Sequence, residues 1–383
     1  MPGTPNSVGP SPGRLLSVDV YRGLAVAGMI LVDNPGDDNH AYRLISHAEW
    51  NGWTPADFIF PSFLFLVGVS LVIAFSRRLE RGESKQSIFL HVCRRTLILI
   101  AIGIVVNGFP VFELASWRWE GVLQRIALCY FVSGVLVLWS DWKGAAAAIF
   151  VCLVGYWVLL RFAVVPGFGL PVRDFPFMDP YKNIVAALDR KLFMGHLYNE
   201  TRDPEGILST IPAIATCLVG VITGYWLQSQ VKENRKAVAM AGFGALAFCG
   251  GLLWNIWFPI NKNLWTSSFV LLTGGFALAL FAFLYWILDI KKLRGVWTVP
   301  FLVFGMNAIA GFIADALVYG PAYGFHVRLP NGKTVMWLEF ADSKLLALGL
   351  SPYNTSLLYA LLAVCFGWLL LWLLYRKAVF LKI

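Results

Sequence analysis

The sequence predicts an all-α protein, a polytopic membrane helix bundle of about ten transmembrane helices with both termini cytoplasmic. Three observations carry this reading. Of 383 residues, 58% are hydrophobic and only 14% charged, with a mean hydropathy of +0.67; a soluble domain carries about a quarter charged residues. Ten apolar runs approach the roughly 20 residues needed to cross a hydrocarbon core about 30 Å thick. Lys and Arg gather in one alternate set of the loops that join the runs. Such a composition excludes a disordered or collagen-like chain and an ordinary cytosolic enzyme.

In order, the runs are residues 15–32, 57–76, 96–109, 121–139, 145–165, 207–227, 237–258, 267–288, 297–319 and 355–375. The first carries Asp19 and Arg22 in its opening half, three residues apart and so on one helix face. The second opens with Thr54 as a helix cap and Pro55 at the first helical position. The third is short as bounded, and its start is expected within residues 87–95. A connection of about 40 residues separates the fifth from the sixth, which begins behind Asp203-Pro204-Glu205-Gly206. Residues 1–13 are rich in Pro, Gly and Ser, lack an apolar stretch, and read as a flexible cytoplasmic tail. Residues 14–383 read as a single transmembrane domain. Cys93, Cys129, Cys152, Cys217, Cys249 and Cys365 fall in or beside apolar runs and read as small buried hydrophobes, and no metal site is expected.

Orientation follows from charge. With the N-terminus inside, cytoplasmic loops hold 17 Lys and Arg and the longer outer loops 11. Acids included, the net charge of +9 divides into +12 on the cytoplasmic side and −3 outside, with the spans neutral. The basic excess is therefore a one-sided face that needs no nucleic acid to explain it.

Arg22, Arg125, Arg161, Asp19, Asp57 and Asp315 lie within or at the edges of spans, where an unpaired charge costs several kcal/mol. They either pair to hold the bundle together or line a cavity. In the first outer loop His47 precedes Asp57 by ten residues, and Asp57 opens the second helix, whose dipole favours a carboxylate there. A fixed carboxylate beside a His is the orienting pair that a general base needs. Asp203 and Glu205 read either as a turn and helix start or as a polar rim for a hydroxyl- or amine-rich ligand. Trp53, Trp117 and Trp119 sit near the outer boundary, where Trp anchors membrane proteins and also stacks on sugar rings.

An ordered set of segments carries a resemblance: Ser17-Val18-Asp19-Val20-Tyr21-Arg22-Gly23, Asn34-Pro35-Gly36, residues 47–57, Phe60-Pro61-Ser62-Phe63-Leu64-Phe65, Gly121-Val122-Leu123-Gln124-Arg125-Ile126-Ala127, Asp203-Pro204-Glu205-Gly206 with Ser209-Thr210-Ile211-Pro212, and Gly305-Met306-Asn307-Ala308. Together they resemble the heparan-α-glucosaminide N-acetyltransferase family, including its bacterial members. The resemblance implies acetyl-CoA as a cytoplasmic donor, an extracytoplasmic amino sugar such as a terminal glucosamine as acceptor, a bacterial inner membrane setting and a homodimer. It makes His47 the catalytic histidine, supported by Asn34 and Asp57. Here His47 takes the acceptor's proton or carries the acetyl group, Asp57 orients the ring, and the Asn34 amide donates to the thioester oxygen. Arg22, Arg125, Arg94, Arg95, Gln124 and Asn307 are then expected along the CoA path, and Asp203, Glu205, Trp50, Asn51 and Trp117 at the acceptor. A transporter or flippase for a glycan or lipid-linked intermediate is the other reading that buried charges allow.

Overall fold

A computed structural model describes residues 14–381; the expected tail at residues 1–13 lies outside the described residues. The helices are α1 (Leu16–Asp33), α2 (Ile59–Glu80), α3 (Lys85–Gly108), α4 (Val122–Trp139), α5 (Trp142–Phe162), α6 (Ile184–Phe193), α7 (Thr210–Gln228), α8 (Glu233–Trp254), α9 (Ser267–Tyr285), α10 (Val299–Met306), α11 (Ala308–Gly324), α12 (Trp337–Leu346) and α13 (Pro352–Arg376). Among the described residues, eight helices are long and apolar enough to cross a membrane, and α10 with α11 adds a ninth if that bent pair is one span. The remaining run became α1, an 18-residue helix that carries Asp19, Arg22 and Asp33.

Helix contacts explain the order of packing. A Cβ at Gly23 would fall on the carbonyl oxygen of Phe301, and one at Gly305 on that of Asp19, so α1 and α10 touch backbone to backbone. The same holds for α2 and α7, where Gly68 meets Cys217 and Gly220 meets Phe65. Small residues at such crossings are how apolar helices associate where burial from water no longer drives them. The backbone N–H groups of Leu16 and Ser17 donate to Asp289 at 3.0 and 3.1 Å, so a carboxylate from the helical turn that continues α9 (Trp286–Ile290) caps α1. This ties the start of α1 and the end of α9 to one face of the bundle.

Two expectations need correction. Ser84 caps α3 by accepting from the Ser87 N–H, so the helix starts at Lys85, two residues before the interval expected for its start, and holds Arg94 and Arg95 well inside it. The ninth run is not one straight span: it bends by 82° at Asn307, whose backbone leaves the helical region. The long fifth-to-sixth connection also contains α6, and a short antiparallel hairpin, β1 (His326–Arg328) with β2 (Thr334–Met336), precedes α12.

Candidate active site

The entry to α2 builds the centre of the site. Asp57 Oδ2 accepts from the backbone N–H of Thr54 at 2.8 Å and from the Ala48 N–H at 3.3 Å, with Thr54 Oγ1 close by at 3.2 Å. Thr54 Oγ1 donates to Ser46 O, fastening the loop to the helix start. The carboxylate is fully buried, and its other oxygen lies 2.8 Å from His47 Nδ1. His47 itself is exposed enough to meet a ligand. Its Nε2 lies 3.0 Å from Lys262 Nζ. An ammonium has only donors, so Nε2 accepts, the ring proton sits on Nδ1, and Nδ1–H donates to Asp57. The resting ring therefore already presents a lone pair on the nitrogen facing away from Asp57.

Lys262 sits on a tied loop between α8 and α9. The Asn261 N–H donates to Thr266 Oγ1, Asn261 Oδ1 accepts from the Leu264 N–H, and the Trp265 N–H returns to Lys262 O. Asn261 Nδ2 donates to Asn51 Oδ1 at 3.2 Å and the Gly52 N–H to Ile260 O at 2.8 Å, which docks this loop on the His47 loop. Burial pulls the Lys262 ammonium below its usual range, and Asp57, Glu205 and Asp33 oppose that pull. Asp33, at the end of α1, acts electrostatically on His47, Lys262 and Glu205 together.

A second buried cluster stands beside it. Arg118 forks onto Asp203 and Glu205, with Nε 2.7 Å from Asp203 Oδ2, and lies 4.7 Å over the Tyr198 ring. Burial opposes the Asp203 charge, but Arg118 and the N–H groups of Glu205 and Tyr198 outweigh it and hold its carboxyl below the usual range. Deeper in, burial pushes Glu120 up to about 9, helped by Asp189 and Asp203. Burial, with Asp203, lifts Asp189 to about 7. A raised folded-state value means that Asp189 favours the fold most at low pH and loses that contribution as pH rises from about 4 to about 7. Asp189→Asn should therefore flatten the decline of Tm over that interval and leave the part due to Glu120, which extends toward pH 9. Thermal unfolding in detergent from pH 4.5 to 9 checks it; an unchanged slope below pH 7 would refute the assignment.

On the opposite side a cavity of about 380 Å³ opens among α1, α2, α3, α4, α10 and α11. Arg22, Arg78, His91 and Arg95 line it together with Ser70 and Tyr130, while Met29, Phe63, Leu123, Ile126, Ile309 and Phe312 make it apolar. Arg22 donates to Ser70 Oγ at 2.8 Å and pairs with Asp19 at 3.4 Å; Arg95 lies 4.9 Å over the Tyr130 ring. Met29 and Asp33 are four apart on α1, and Phe312 and Asp315 three apart on α11, so the faces that line the cavity continue one turn on to Asp33 and Asp315. Those acids lead toward the His47 cluster.

A family model described as "Heparan-alpha-glucosaminide N-acetyltransferase, catalytic" matches residues 14–259. The chain belongs to this family. Human (Homo sapiens) heparan-alpha-glucosaminide N-acetyltransferase is 29% identical over 433 residues, covering 97% of this chain and 60% of that protein. The mouse (Mus musculus) protein of the same name is 28% identical over 434 residues, covering 97% and 61%. The chain thus spans about three fifths of the length of the curated relatives it matches.

With the heparan-α-glucosaminide N-acetyltransferase family established, the expected site residues divide. His47 and Asp57 form the pair anticipated for them, and Arg22 and Arg95 line the cavity. Asn34 differs from its expected role as a donor. Its amide nitrogen is taken by Ile30 O at 2.9 Å and Asp315 Oδ1 at 2.6 Å, and its buried Oδ1 is left without a partner. Arg125 does not join the basic mouth: it donates to Gly206 O and Ser209 Oγ and lies 5.0 Å over Trp265. Arg94 is exposed and off the cavity. Asn307 donates to Val379 O at 2.9 Å and accepts from the Leu381 N–H at 3.0 Å, which makes it a clasp for the segment that follows α13. Gln124 donates to Trp119 O and keeps a buried Oε1 without a partner. Asp203 is spent on Arg118 and two backbone donors, Trp50 donates to Met178 O, and Trp117 donates to Ile104 O, so these three hold loops. Asn51 joins the two site loops. Arg161 lies over Phe177. Lys262 and Asp33 were missed, and Lys262 stands three residues beyond the end of the family match.

Proposed function

We propose that this protein moves an acetyl group from acetyl-CoA, entering on the side of Arg22 and Arg95, to the amine of an amino sugar that meets His47 on the opposite side. The single observation that carries the reading is the Asp57–His47 pair, with the Nε2 lone pair already facing an amine nitrogen at 3.0 Å. His47 takes a proton from the acceptor amine as it attacks, and Asp57 stabilises the imidazolium that forms. Acetyl transfer needs such a base because an ammonium is no nucleophile. Acetyl-CoA fits the donor side on two counts. Its phosphates suit the cluster of Arg22, Arg78 and Arg95, and its narrow pantetheine arm suits an apolar cavity. The arm's amide N–H groups suit buried acceptor oxygens such as Asn34 Oδ1, which has none of its own donors to satisfy it. The Lys and Arg asymmetry supports a cytoplasmic donor side.

Purified protein incubated with acetyl-CoA and glucosamine should release CoA-SH and form N-acetylglucosamine in equal amounts. Folded protein that yields neither across a range of amino sugars would sink the reading. On the donor side, Arg22→Gln and Arg95→Gln should each raise the KM for acetyl-CoA about tenfold, the loss of roughly one charge-assisted contact. The KM for the sugar should move little. Unchanged acetyl-CoA binding in both variants would remove the cavity from the donor path.

A further inference from the structure

We propose that Lys262 is an internal acetyl acceptor, an amine that occupies the acceptor's place and is itself acetylated when no sugar is bound. The inference rests on the transferase reading above and adds a modification site to it. Lys262 Nζ lies 3.0 Å from His47 Nε2, the nitrogen that must face the nucleophilic amine of any acceptor. It is a primary amine, as the amine of an amino sugar is. Its charge is met by Asp57 Oδ1 at 3.9 Å and, through space, by Glu205 and Asp33, the same anions that would receive a sugar ammonium.

The position is built in. Residue 261 closes the loop with bonds to residues 264 and 266, and the loop is bonded in turn to Asn51 and Gly52 of the His47 loop. The side chain is only 17% exposed, so it is held at the base and is not a passing surface lysine. Burial lowers the affinity of Nζ for its proton, the direction that favours the nucleophilic neutral amine, while the neighbouring carboxylates oppose it.

The step balances. Lys262 loses one proton through His47 to water, and the neutral amine attacks the thioester carbon. As the C–S bond breaks, the second nitrogen proton passes through His47 to the departing sulfur. The products are Nε-acetyl-lysine at position 262, CoA-SH and one proton. Amides resist hydrolysis, so the modified enzyme has a neutral, bulkier group in the acceptor position and should transfer poorly. A bound sugar displaces the lysine and protects it.

The test uses the full chain in detergent with isotopically labelled acetyl-CoA and no acceptor. The expected result is a burst of CoA-SH that levels off near one equivalent per chain, label on the Lys262 peptide, and a parallel loss of transfer to glucosamine. Glucosamine present from the start should suppress the label. Lys262→Arg keeps the cation beside His47 but offers a far weaker nucleophile, and it should abolish both the labelling and the time-dependent inactivation. A preparation that acetylates glucosamine while Lys262 stays unlabelled overturns the proposal and leaves the transferase reading intact. Label spread evenly over exposed lysines such as Lys333 and Lys344 overturns it too, because that is uncatalysed chemistry. Absence of both CoA-SH release and sugar acetylation would defeat the transferase reading, and this proposal with it.

Discussion

His47→Ala should lower kcat/KM for acetyl transfer by about a thousandfold or more, the range in which a positioned general base acts. The Kd for acetyl-CoA should change less than about twofold, because His47 is not among the residues that line the donor cavity. Structure makes the loss steep. Asp57 is buried with two backbone donors on one oxygen, and its other oxygen is kept for the ring, so Asp57 is not free to take over as base. Lys262 cannot substitute, since it stands where the nucleophile belongs. Steady-state kinetics together with equilibrium binding of acetyl-CoA separate the two effects. A variant that keeps a tenth of the activity would remove His47 from the proton path.

Arg118→Ala should be the most damaging change to the fold of the site. Asp203 and Glu205 both depend on that guanidinium, and Asp203 has no exposed surface through which water could replace it. Breaking a buried ion pair by removing one partner costs roughly 3–5 kcal/mol, because the remaining charge stays buried. The expected outcome is a collapse in the yield of monodisperse protein or a large fall in Tm. Combining Arg118→Met with Asp203→Asn and Glu205→Gln removes the stranded charges and should recover much of the stability. If the single variant melts like the parent, the cluster is not what fastens the loop between α6 and α7.

The helices were legible because hydrophobic length is a direct physical requirement of a bilayer, and each of the ten runs became helix. Their ends were less legible. Arg94 and Arg95 look like loop residues in a count of charges, yet Ser84 starts the helix ten residues before Arg94. The break at Asn307 has no signal in hydropathy, since residues on both sides are apolar; what makes it is a side chain that bonds a segment more than 70 residues away. At the site, the His47–Asp57 pair was readable because both lie in one loop and helix start. Lys262 was not, because it comes from a loop 215 residues later and a lone outer lysine looks like any solvated one. Asp203 and Arg125 are expected as ligand contacts from the family resemblance, and for Asp203 a turn before a helix is the other reading of the residues. Their partners in the folded chain, Arg118 and Ser209, absorb that chemistry.

The Asn307 clasp has a consequence for the wall of the arginine-lined cavity. Leu381 forms part of the cavity wall; its N–H donates to the Asn307 amide that also grips Val379 O, and the Val379 N–H bonds back to Leu374 O. Such bonds are worth about 1 kcal/mol each. One side chain at the bend between α10 and α11 therefore sets both the break in that run and the seat of residue 381 in the wall, so a change at Asn307 reaches the two together.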